Sequence, residues 1–314
     1  MIYTLTPNPA IDLYVGLEEL KPNLVNRTSE EDYQPNGKAI NISIMLKKLG
    51  FSSTAIGFLG GFSGNFIEEE LNKMGVQTSF VHVDGITRIN VFANADEEYK
   101  IVNKGPDIAA EKVEEMLEKV AGLPEKSILF VSGSLPGGIR DDFYIEIAKI
   151  CNQKQMKLVL DISSKALLDC LYYQPFLIKP NDDELATFFN LDVTDMTESK
   201  IIECSNILLE KGAKQVLVSR GEKGAVYVTH NKVLKVTSPK GEVVNTACAG
   251  DALLGVFIGK LQQGCSLEES LRFASAAGSA TAFSKGLGEL SEIESLVSEI
   301  KVDTLKEEKI NGWH

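Results

Sequence analysis

The feature that most constrains the fold is a regular alternation of short β-rich runs with longer segments of helical period. The β-rich runs lie at residues 2–6, 54–59, 127–132, 157–162, 176–179 and 215–219. The helical segments lie between them, at residues 40–49, 64–74, 110–121, 141–151, 183–189 and 198–211. Strands separated by helices in this order predict an α/β protein with βαβ units on a mostly parallel sheet. Several runs are apolar on both faces, which indicates central strands covered by helices.

Two segments interrupt this alternation, at about residues 13–35 and 87–102. Both have alternating or mixed strand character with no helix inside them, so we expect a small antiparallel β-strand lid inserted into the main sheet. Ordinary surface loops are the alternative that the pattern leaves open. The sequence contains no internal repeat and no linker, and we therefore expect one domain over residues 1–314.

The pattern changes after residue 224. Residues 225–229 and 233–237 predict a hairpin, and residues from 249 onward predict consecutive helices with a Gly-rich break at 285–288.

The charge of the chain restricts its partners. Its 314 residues include 32 Lys and Arg against 44 Asp and Glu, a formal net charge of −12. This charge opposes non-specific binding to nucleic acid or to an anionic membrane, and no run reaches the about 18 apolar residues of a membrane span. The five cysteines are scattered and never spaced as CxxC, which argues against a disulfide framework or a zinc ribbon. We expect a cytoplasmic protein without nucleic-acid or membrane partners.

The most informative segment for function is residues 244–252, which lead into an apolar helical run. Small residues before a helix leave its first backbone N–H groups unobstructed, and these groups together with the helix dipole stabilise an anion such as phosphate. Asp251 lies at the same helix start. Beside a phosphoryl group it can accept the proton of an attacking hydroxyl, but Asp is also a preferred helix cap. The segment alone leaves both roles open.

Two segments together resemble a known family. Residues 245–251 (Asn-Thr-Ala-Cys-Ala-Gly-Asp) resemble the second signature of the ribokinase-like sugar kinases, the phosphofructokinase-B family. Residues 35–41 (Pro-Asn-Gly-Lys-Ala-Ile-Asn) resemble its first signature, a Gly-Gly-Lys-Gly-x-Asn turn that leads into a helix. Further matches lie at residues 8–12, 87–90, 132–138, 179–184 and 219–224, so the resemblance covers essentially the whole chain. It implies a ribokinase-like three-layer αβα fold with a mostly parallel central sheet and a β-strand lid.

The opening residues 4–9 and the Gly37-Lys38 pair look most like the hexose-phosphate branch of that family, which contains 1-phosphofructokinase and tagatose-6-phosphate kinase. The resemblance implies that Asp251 is the catalytic base. It also implies that the backbone amides of Cys248, Ala249 and Gly250 form an anion hole for the transferring γ-phosphoryl group of ATP.

On the sugar side, the resemblance implies contacts with the sugar hydroxyls and contacts with the substrate's phosphate. One further candidate lies in a loop after a strand, and such loops line the ligand crevice of parallel sheets. The hydroxyl contacts are Asp12, Gly37 and Asn41; the phosphate contacts are Arg27, Lys38 and Arg88; the loop residue is Ser134.

On the nucleotide side, Asn181 and Glu184 resemble the family's Asn-x-x-Glu motif, which helps to position Mg²⁺, often through water, and the phosphates. Mg²⁺ prefers a hard oxygen site that keeps several waters. The same two residues also predict a helix capping box, which is compatible with this role. The further candidates for binding ATP are Lys179, Ser219, Gly221, Gly224 and, near adenine, Ser284.

Four positions depart from the family pattern. Cys248 replaces a Gly or Ala of the anion hole, and Asn36 replaces the first Gly of the Gly-Gly pair, where Asn tolerates a positive φ. Ala39 replaces the Gly after Lys38, which is harmless only if the φ of Ala39 is negative. Ile44 stands where hexose-phosphate relatives usually carry Arg. A thiol at a helix amino terminus has its thiolate favoured. We therefore expect Cys248 to be alkylated faster than the other cysteines and to be protected by ATP.

The resemblance thus implies an ATP-dependent sugar-phosphate kinase that uses Mg²⁺. The first expectation is phosphorylation of fructose 1-phosphate at its 6-hydroxyl, and the close alternative is phosphorylation of tagatose 6-phosphate at its 1-hydroxyl. An alternative of another class is a non-catalytic sugar- or nucleotide-sensing protein derived from such kinases. A ribose or nucleoside kinase is disfavoured by the basic residues. Relatives often bury the lid edges in a dimer, so we expect a homodimer through the lid.

Overall fold

The structure is a computed structural model and describes residues 1–307. The last residues of the predicted domain, 308–314, lie outside this range. The strands, in chain order, are β1 Ile2–Thr6, β2 Ala10–Gly16, β3 Glu30–Asn36, β4 Thr54–Leu59, β5 Gln77–Thr78, β6 Val81–His82, β7 Arg88–Asn94, β8 Glu98–Ile101, β9 Ile128–Ser132, β10 Lys157–Asp161, β11 Leu177–Ile178, β12 Val216–Ser219, β13 Ala225–Val228, β14 Lys232–Val236 and β15 Val302–Glu307.

The helices lie between these strands and after the last hairpin. They are α1 Lys38–Lys48, α2 Gly61–Lys73, α3 Ala110–Gly122, α4 Asp142–Gln153, α5 Ala166–Cys170, α6 Asp182–Phe189, α7 Glu198–Glu210, α8 Ala249–Gln262, α9 Leu267–Ala282 and α10 Leu290–Leu296. Among the described residues, no helix is long and apolar enough to cross a membrane.

The main sheet is 11-stranded, in the order β15-β14-β13-β12-β11-β10-β9-β1-β4-β5, with β6 paired to β4. The strands from β12 to β5 are parallel to their neighbours, and β13, β14 and β15 form an antiparallel edge. The predicted mostly parallel central sheet is confirmed.

The apolar strands explain the layering. Successive strand residues point to opposite faces of a sheet, and on β9 Leu129 and Val131 join the core under α3 to α7, whereas Ile128 and Phe130 join the core under α1, α8, α9 and α10. A strand that is apolar at every position can therefore be buried on both sides. The result is the three-layer αβα arrangement that the sequence predicts.

The lid is a separate 4-stranded sheet in the order β3-β2-β7-β8. It covers residues 10–36 and 88–101, close to the two predicted segments. The prediction of an antiparallel lid is wrong in one respect, because β2 and β7 are parallel. These two strands come from distant parts of the chain, so no hairpin turn constrains their direction. The short β1–β2 connection and the β3–α1 junction attach the lid to the carboxyl edge of the main sheet.

The remaining differences concern short or late elements. The end of the chain was expected to be helical, but residues 302–307 form β15, which extends the antiparallel edge beside β14. Strands β5 and β6 and helix α5 were not predicted. Each spans only a few residues, too few for a hydrophobic period to be visible.

The turn between β12 and β13 allows a test of what its two glycines do. Gly224 has a φ of 84°, and a Cβ there would lie 1.9 Å from the carbonyl oxygen of Val236. Gly221 has a φ of 55° but no atom within 4 Å of its Cβ position. We expect Gly221→Ala to lower the free energy of unfolding by about 1 kcal/mol, since only the left-handed conformation is penalised. Gly224→Ala should lower it by more than about 2 kcal/mol, because the backbone must also move.

Urea unfolding followed by circular dichroism measures both changes. Equal decreases in the free energy of unfolding of the two variants would show that the close contact of Gly224 with β14 does not affect stability.

Candidate active site

Polar groups meet at the carboxyl ends of β1, β9, β10 and β11, where parallel sheets bind their ligands. The chain leaves β1 for the lid and returns through β3 into α1. The hydroxyl of Thr6, at the end of β1, accepts a hydrogen bond from the backbone N–H of Ile40 at 3.0 Å, which satisfies one of the free amides at the start of α1. This fixes α1, and with it Lys38 and Asn41, above the sheet edge.

Asp251 lies in the first turn of α8 and is only 5% exposed. Its Oδ2 accepts a hydrogen bond from Nδ2 of Asn41 at 2.9 Å. Burial, together with the nearby carboxylate of Asp161, raises the pKa of Asp251 to about 7, although Lys38, Asn41 and Lys179 act in the opposite direction. A carboxyl group with a pKa near neutrality is suited to accept and release a proton at physiological pH.

The turn before α8 presents backbone amides. Cys248 is the N-cap and has a left-handed φ of 63°. Among the described residues, the N–H groups of Cys248 and Gly250 have no hydrogen-bond acceptor, and that of Ala249 has only a long bond of 3.4 Å to the carbonyl of Thr246. Free amides at a helix amino terminus bind anions, so the geometry fits the predicted anion hole.

Two lysines share one buried carboxylate beside this turn. Oδ1 of Asp161 lies 3.1 Å from Nζ of Lys38 and 3.3 Å from Nζ of Lys179. Burial opposes the charge of Asp161, yet Lys179 and Lys38 hold its pKa below the usual range. Burial also opposes the charge of Lys38, but Asp161, Glu184 and Asp251 keep its pKa above the usual range. A Cβ on Gly250 would lie 3.3 Å from Nζ of Lys179, so this ammonium group borders the anion hole.

The Asn-x-x-Glu pair forms the predicted capping box at the start of α6. Oδ1 of Asn181 accepts from the N–H of Glu184 at 2.7 Å, and Oε2 of Glu184 accepts from the N–H of Asn181 at 3.0 Å. Oε1 of Glu184 accepts from the hydroxyl of Ser163 at 2.6 Å and lies 3.7 Å from Nζ of Lys38. Asn181 also forms a bridge to Ser219, which brings the end of β12 to the same edge.

Asp12, on β2 of the lid, is almost fully buried. Its Oδ1 accepts from Nδ2 of Asn90 at 2.8 Å, and its Oδ2 accepts from Nδ2 of Asn36. Burial raises the pKa of Asp12, against the hydrogen bonds of both amides and the charge of Arg88. Arg88 itself donates to the carbonyls of Asn8 at 2.8 Å and Asn103 at 3.3 Å.

A cavity of about 560 Å³ adjoins this cluster, between β3, α1 and the turn before α8. Three of the four positions that depart from the family pattern line it, namely Asn36, Ile44 and Cys248. The fourth, Ala39, is buried inside α1, where its φ is not positive, so the loss of a Gly there is harmless. Asn36 lies at the end of β3 without a positive φ, and the tolerance of Asn for that conformation is not used.

The structure does not bring every predicted site residue together. Among residues 1–307, Arg27 and Ser134 lie exposed on loops and make no hydrogen bond or ion pair with the cluster. Arg27 follows the far end of the β2–β3 hairpin. Gly221 lies in open space, and Gly224 packs against β14. Ser284 follows α9, where its N–H donates to the carbonyl of Thr281 at 3.2 Å.

The expectation of a reactive Cys248 is wrong on its physical premise. Burial and, after it, the carboxylates of Asp251 and Asp12 raise the pKa of the Cys248 thiol, against the hydrogen bonds of Asn41 and Asn36. A neutral thiol is a poor nucleophile.

Two residues of the cluster were not predicted. Asp161 ends β10, and a polar residue at the carboxyl end of a buried strand is the same signal that indicated Ser134. Asn36 was noted only as a replacement for Gly, and its side-chain contacts depend on residues far away in the sequence.

Comparison with known proteins agrees with the geometry. Residues 5–294 match the pfkB family of carbohydrate kinases. A D-tagatose-1-phosphate kinase of Bacillus licheniformis is 54% identical over 97% of this chain and 100% of its own length. A 1-phosphofructokinase of Bacillus subtilis is 38% identical over the same shares.

Solved structures give the fold. Phosphofructokinase-2 from Escherichia coli, in complex with substrates and products, superimposes with a TM-score of 0.88 at 27% identity and covers 95% of this chain and 98% of its own. Ribokinase of Arabidopsis thaliana has a TM-score of 0.75 at 23% identity, covering 94% of this chain and 98% of its own, and confirms the ribokinase-like fold. The matches to named kinases over nearly the full length decide against a non-catalytic protein. The chain belongs to the pfkB family of carbohydrate kinases and is a phosphotransferase with an alcohol group as acceptor.

Proposed function

We propose that the protein transfers the γ-phosphoryl group of ATP to the 6-hydroxyl of a ketohexose 1-phosphate. The observation that carries the proposal is the buried Asp251, held by Asn41 beside free amides at the start of α8. A base and an anion site on the same turn are what in-line transfer to a hydroxyl requires.

Each part of the cluster has a role in this reaction. The amides of Cys248, Ala249 and Gly250 stabilise the charge on the transferring group, and Lys179 adds positive charge beside it. Lys38, predicted as a contact of the substrate's own phosphate, contacts Asp161 in the same cluster, and we assign its charge to the transferring group instead. Asp251 accepts the proton of the sugar hydroxyl. Asp12 and Asn41 orient the sugar, and Arg88, at the base of the lid, binds its phosphate. Arg27 remains a predicted contact of the substrate's phosphate and Ser134 a predicted substrate contact, and the predicted nucleotide contacts remain Ser219, Gly221, Gly224 and Ser284.

The donor set fits Mg²⁺. Oδ2 of Asp161 is buried without a hydrogen-bond partner in the described part of the chain, and Glu184 lies 3.7 Å from the Lys38 ammonium group that Asp161 also contacts. Mg²⁺ is usually held by one or two carboxylates, waters and substrate phosphates, so these carboxylates and Asn181 are the residues that would hold it, Glu184 through water. When bound, the ion would neutralise charge on the triphosphate.

The substrate class follows from the two relatives, whose names both specify a ketohexose 1-phosphate. When the 1-hydroxyl is phosphorylated, the free primary hydroxyl is at C6. We propose D-tagatose 1-phosphate as the preferred substrate, since the tagatose enzyme is the more similar of the two, and D-fructose 1-phosphate as the second candidate. These sugars differ only in configuration at C4. Ile44 stands where hexose-phosphate relatives usually carry Arg, and this difference also favours a substrate other than fructose 1-phosphate.

The lid supports a homodimer. Large apolar side chains are exposed on its loops and strands, including Leu24 at 66%, Val25 at 83%, Tyr33 at 50% and Ile101 at 57%. Strands β3 and β8 are the edges of the lid sheet, and exposed edges are usually covered in native proteins. A second copy of the chain would cover these edges and close the lid over the sugar.

Replacing the base tests the mechanism. Asp251→Asn keeps the size of the side chain but cannot accept the proton, and we expect kcat to fall by about 10²- to 10⁴-fold. ATP affinity, measured by isothermal titration calorimetry, should stay within about threefold, because the anion hole consists of backbone amides. Asp192→Asn, an exposed residue in a turn, removes the same charge and is the control. Turnover of Asp251→Asn at the level of this control would refute the assignment.

The pH profile tests the same group independently. Asp251 acts as a base only when deprotonated, so a pKa of about 7 predicts that kcat/KM is constant above neutrality. It should fall about tenfold per pH unit as the pH decreases below that value. Lys38 stays protonated over this range because its pKa is raised. A coupled ADP-release assay from about pH 5 to about pH 9 measures the profile. An acid limb near pH 4, the ordinary range of a carboxyl group, would contradict it.

A substrate panel tests specificity. We expect kcat/KM to be highest for D-tagatose 1-phosphate, lower for D-fructose 1-phosphate, and lowest for D-tagatose 6-phosphate, D-fructose 6-phosphate and the free ketoses. ADP release with each sugar is compared with ADP release without sugar. A preference for a 6-phosphate or for a free sugar would overturn the substrate class while leaving the kinase assignment intact.

A further inference from the structure

A continuous chain of hydrogen bonds joins the lid to Asp251. Nδ2 of Asn36 donates to Oδ2 of Asp12 on β2. Oδ1 of Asn36 accepts from Nδ2 of Asn41 at 2.8 Å, and the same Nδ2 donates to Oδ2 of Asp251 at 2.9 Å. Two amide side chains therefore connect two buried carboxylates that belong to different parts of the fold.

In this series of hydrogen bonds, the neighbouring groups determine which atom of each amide donates and which accepts. An ionised carboxylate only accepts, so with Asp12 ionised Asn36 presents its nitrogen to Asp12 and its oxygen to the other side. That oxygen also accepts from the N–H of Gly37 at 2.6 Å and lies 3.8 Å from Sγ of Cys248. The carboxamide of Asn36 has no second orientation that satisfies these partners.

The orientation of Asn41 follows from that of Asn36. Its two N–H bonds point to two acceptors, Asn36 and Asp251. If the amide were rotated by 180°, its oxygen would face the oxygen of Asn36 and the carboxylate of Asp251, and both contacts would be repulsive. Without Asn36, the amide of Asn41 would lose one of its acceptors, and Asp251 and the thiol of Cys248 would remain beside it.

We propose that Asn36 is a positioning residue for the reaction: it orients the amide of Asn41 toward Asp251 and links the base to Asp12 of the lid. This inference rests on the proposed role of Asp251 as the base. The link requires a side chain at position 36, and the Gly of the family signature that Asn36 replaces could not form it.

The hydrogen bond from Asn41 stabilises the charged form of Asp251. If Asn36 maintains that bond, its removal should make the carboxylate harder to form and displace the acid limb of the pH profile to higher pH. A residue that merely supports the β3–α1 junction would lower activity by a similar factor at every pH.

The experiment compares kcat/KM for the sugar phosphate against pH in Asn36→Ala, Asn41→Ala and the double variant. We expect Asn41→Ala to raise the midpoint of the acid limb by about one pH unit and Asn36→Ala by a similar or smaller amount. At acid pH this displacement corresponds to about a tenfold loss, which adds to the pH-independent loss that follows from removing the contact of Asn41 with the sugar. The double variant should show no more displacement than Asn41→Ala, because Asn36 acts through Asn41.

Asn90→Ala is the matched control. Asn90 donates to the other oxygen of Asp12 at 2.8 Å but is not bonded to Asn41. Its removal therefore perturbs the same lid carboxylate, and we expect a higher KM with an unchanged midpoint of the acid limb. Thermal unfolding checks that each variant is folded. If Asn36→Ala is not, Asn36→Ser replaces it, since a hydroxyl keeps a partner for Gly37.

The inference would be overturned if the acid limb of Asn36→Ala had the same midpoint as that of the wild type. It would also be overturned if the shifts in midpoint of the two single variants added in the double variant. These outcomes are distinct from failure of the proposed function. If Asp251→Asn retains turnover, the base assignment fails whatever Asn36 does. If Asp251→Asn is inactive and Asn36→Ala shows no displacement, only the inference fails.

Discussion

The site depends on one buried carboxylate, Asp161, placed between two lysines. Burying an unpaired charge is very unfavourable, and here Lys38 and Lys179 both lie within 3.3 Å of the same oxygen. The second carboxylate, Asp251, is close enough to be affected by all three charges, but within residues 1–307 no lysine lies at ion-pair distance from it. The two acids therefore differ. Asp161 keeps its charge and holds the cations, whereas Asp251 has a raised pKa and can exchange a proton, a division of roles found where environments separate the pKa values of neighbouring acids.

The scaffold brings these groups together by packing two helices closely. A Cβ on Gly255 of α8 would lie 3.3 Å from Cα of Ile42 on α1, so the axes approach where Asn41 and Asp251 must meet. Both helices begin at the carboxyl edge of the sheet, and their amino termini point toward the same space. The hydrogen bond between Asn41 and Asp251 thus follows from helix packing rather than from the local turn.

The sequence predicted what depends on local pattern, and it failed where the cause is tertiary. The central strands and the turn of Asp251 carry short-range signals, hydrophobic runs and small residues before a helix, and these were found. Asp161 carries a detectable signal as a polar strand end, but nothing local indicates that its partners are Lys38 and Lys179. Cys248 shows the limit most clearly. The helix terminus favours a thiolate, but burial of the site and, after it, the carboxylates of Asp251 and of Asp12 on the distant lid strand raise the pKa of the thiol.

Under the proposed function, the lining of the cavity beside the cluster would distinguish one ketohexose 1-phosphate from another. Fructose and tagatose 1-phosphates differ in the direction of a single hydroxyl, so size alone cannot separate them. A site that hydrogen-bonds a hydroxyl discriminates strongly, because a misplaced hydroxyl leaves buried polar groups unpaired. In this chain the wall includes the carboxamide of Asn36 and the thiol of Cys248, which lie within 3.8 Å of each other although they come from different signatures. Their contact makes the two changes interdependent, because a smaller residue at either position would remove this contact and alter the lining of the cavity.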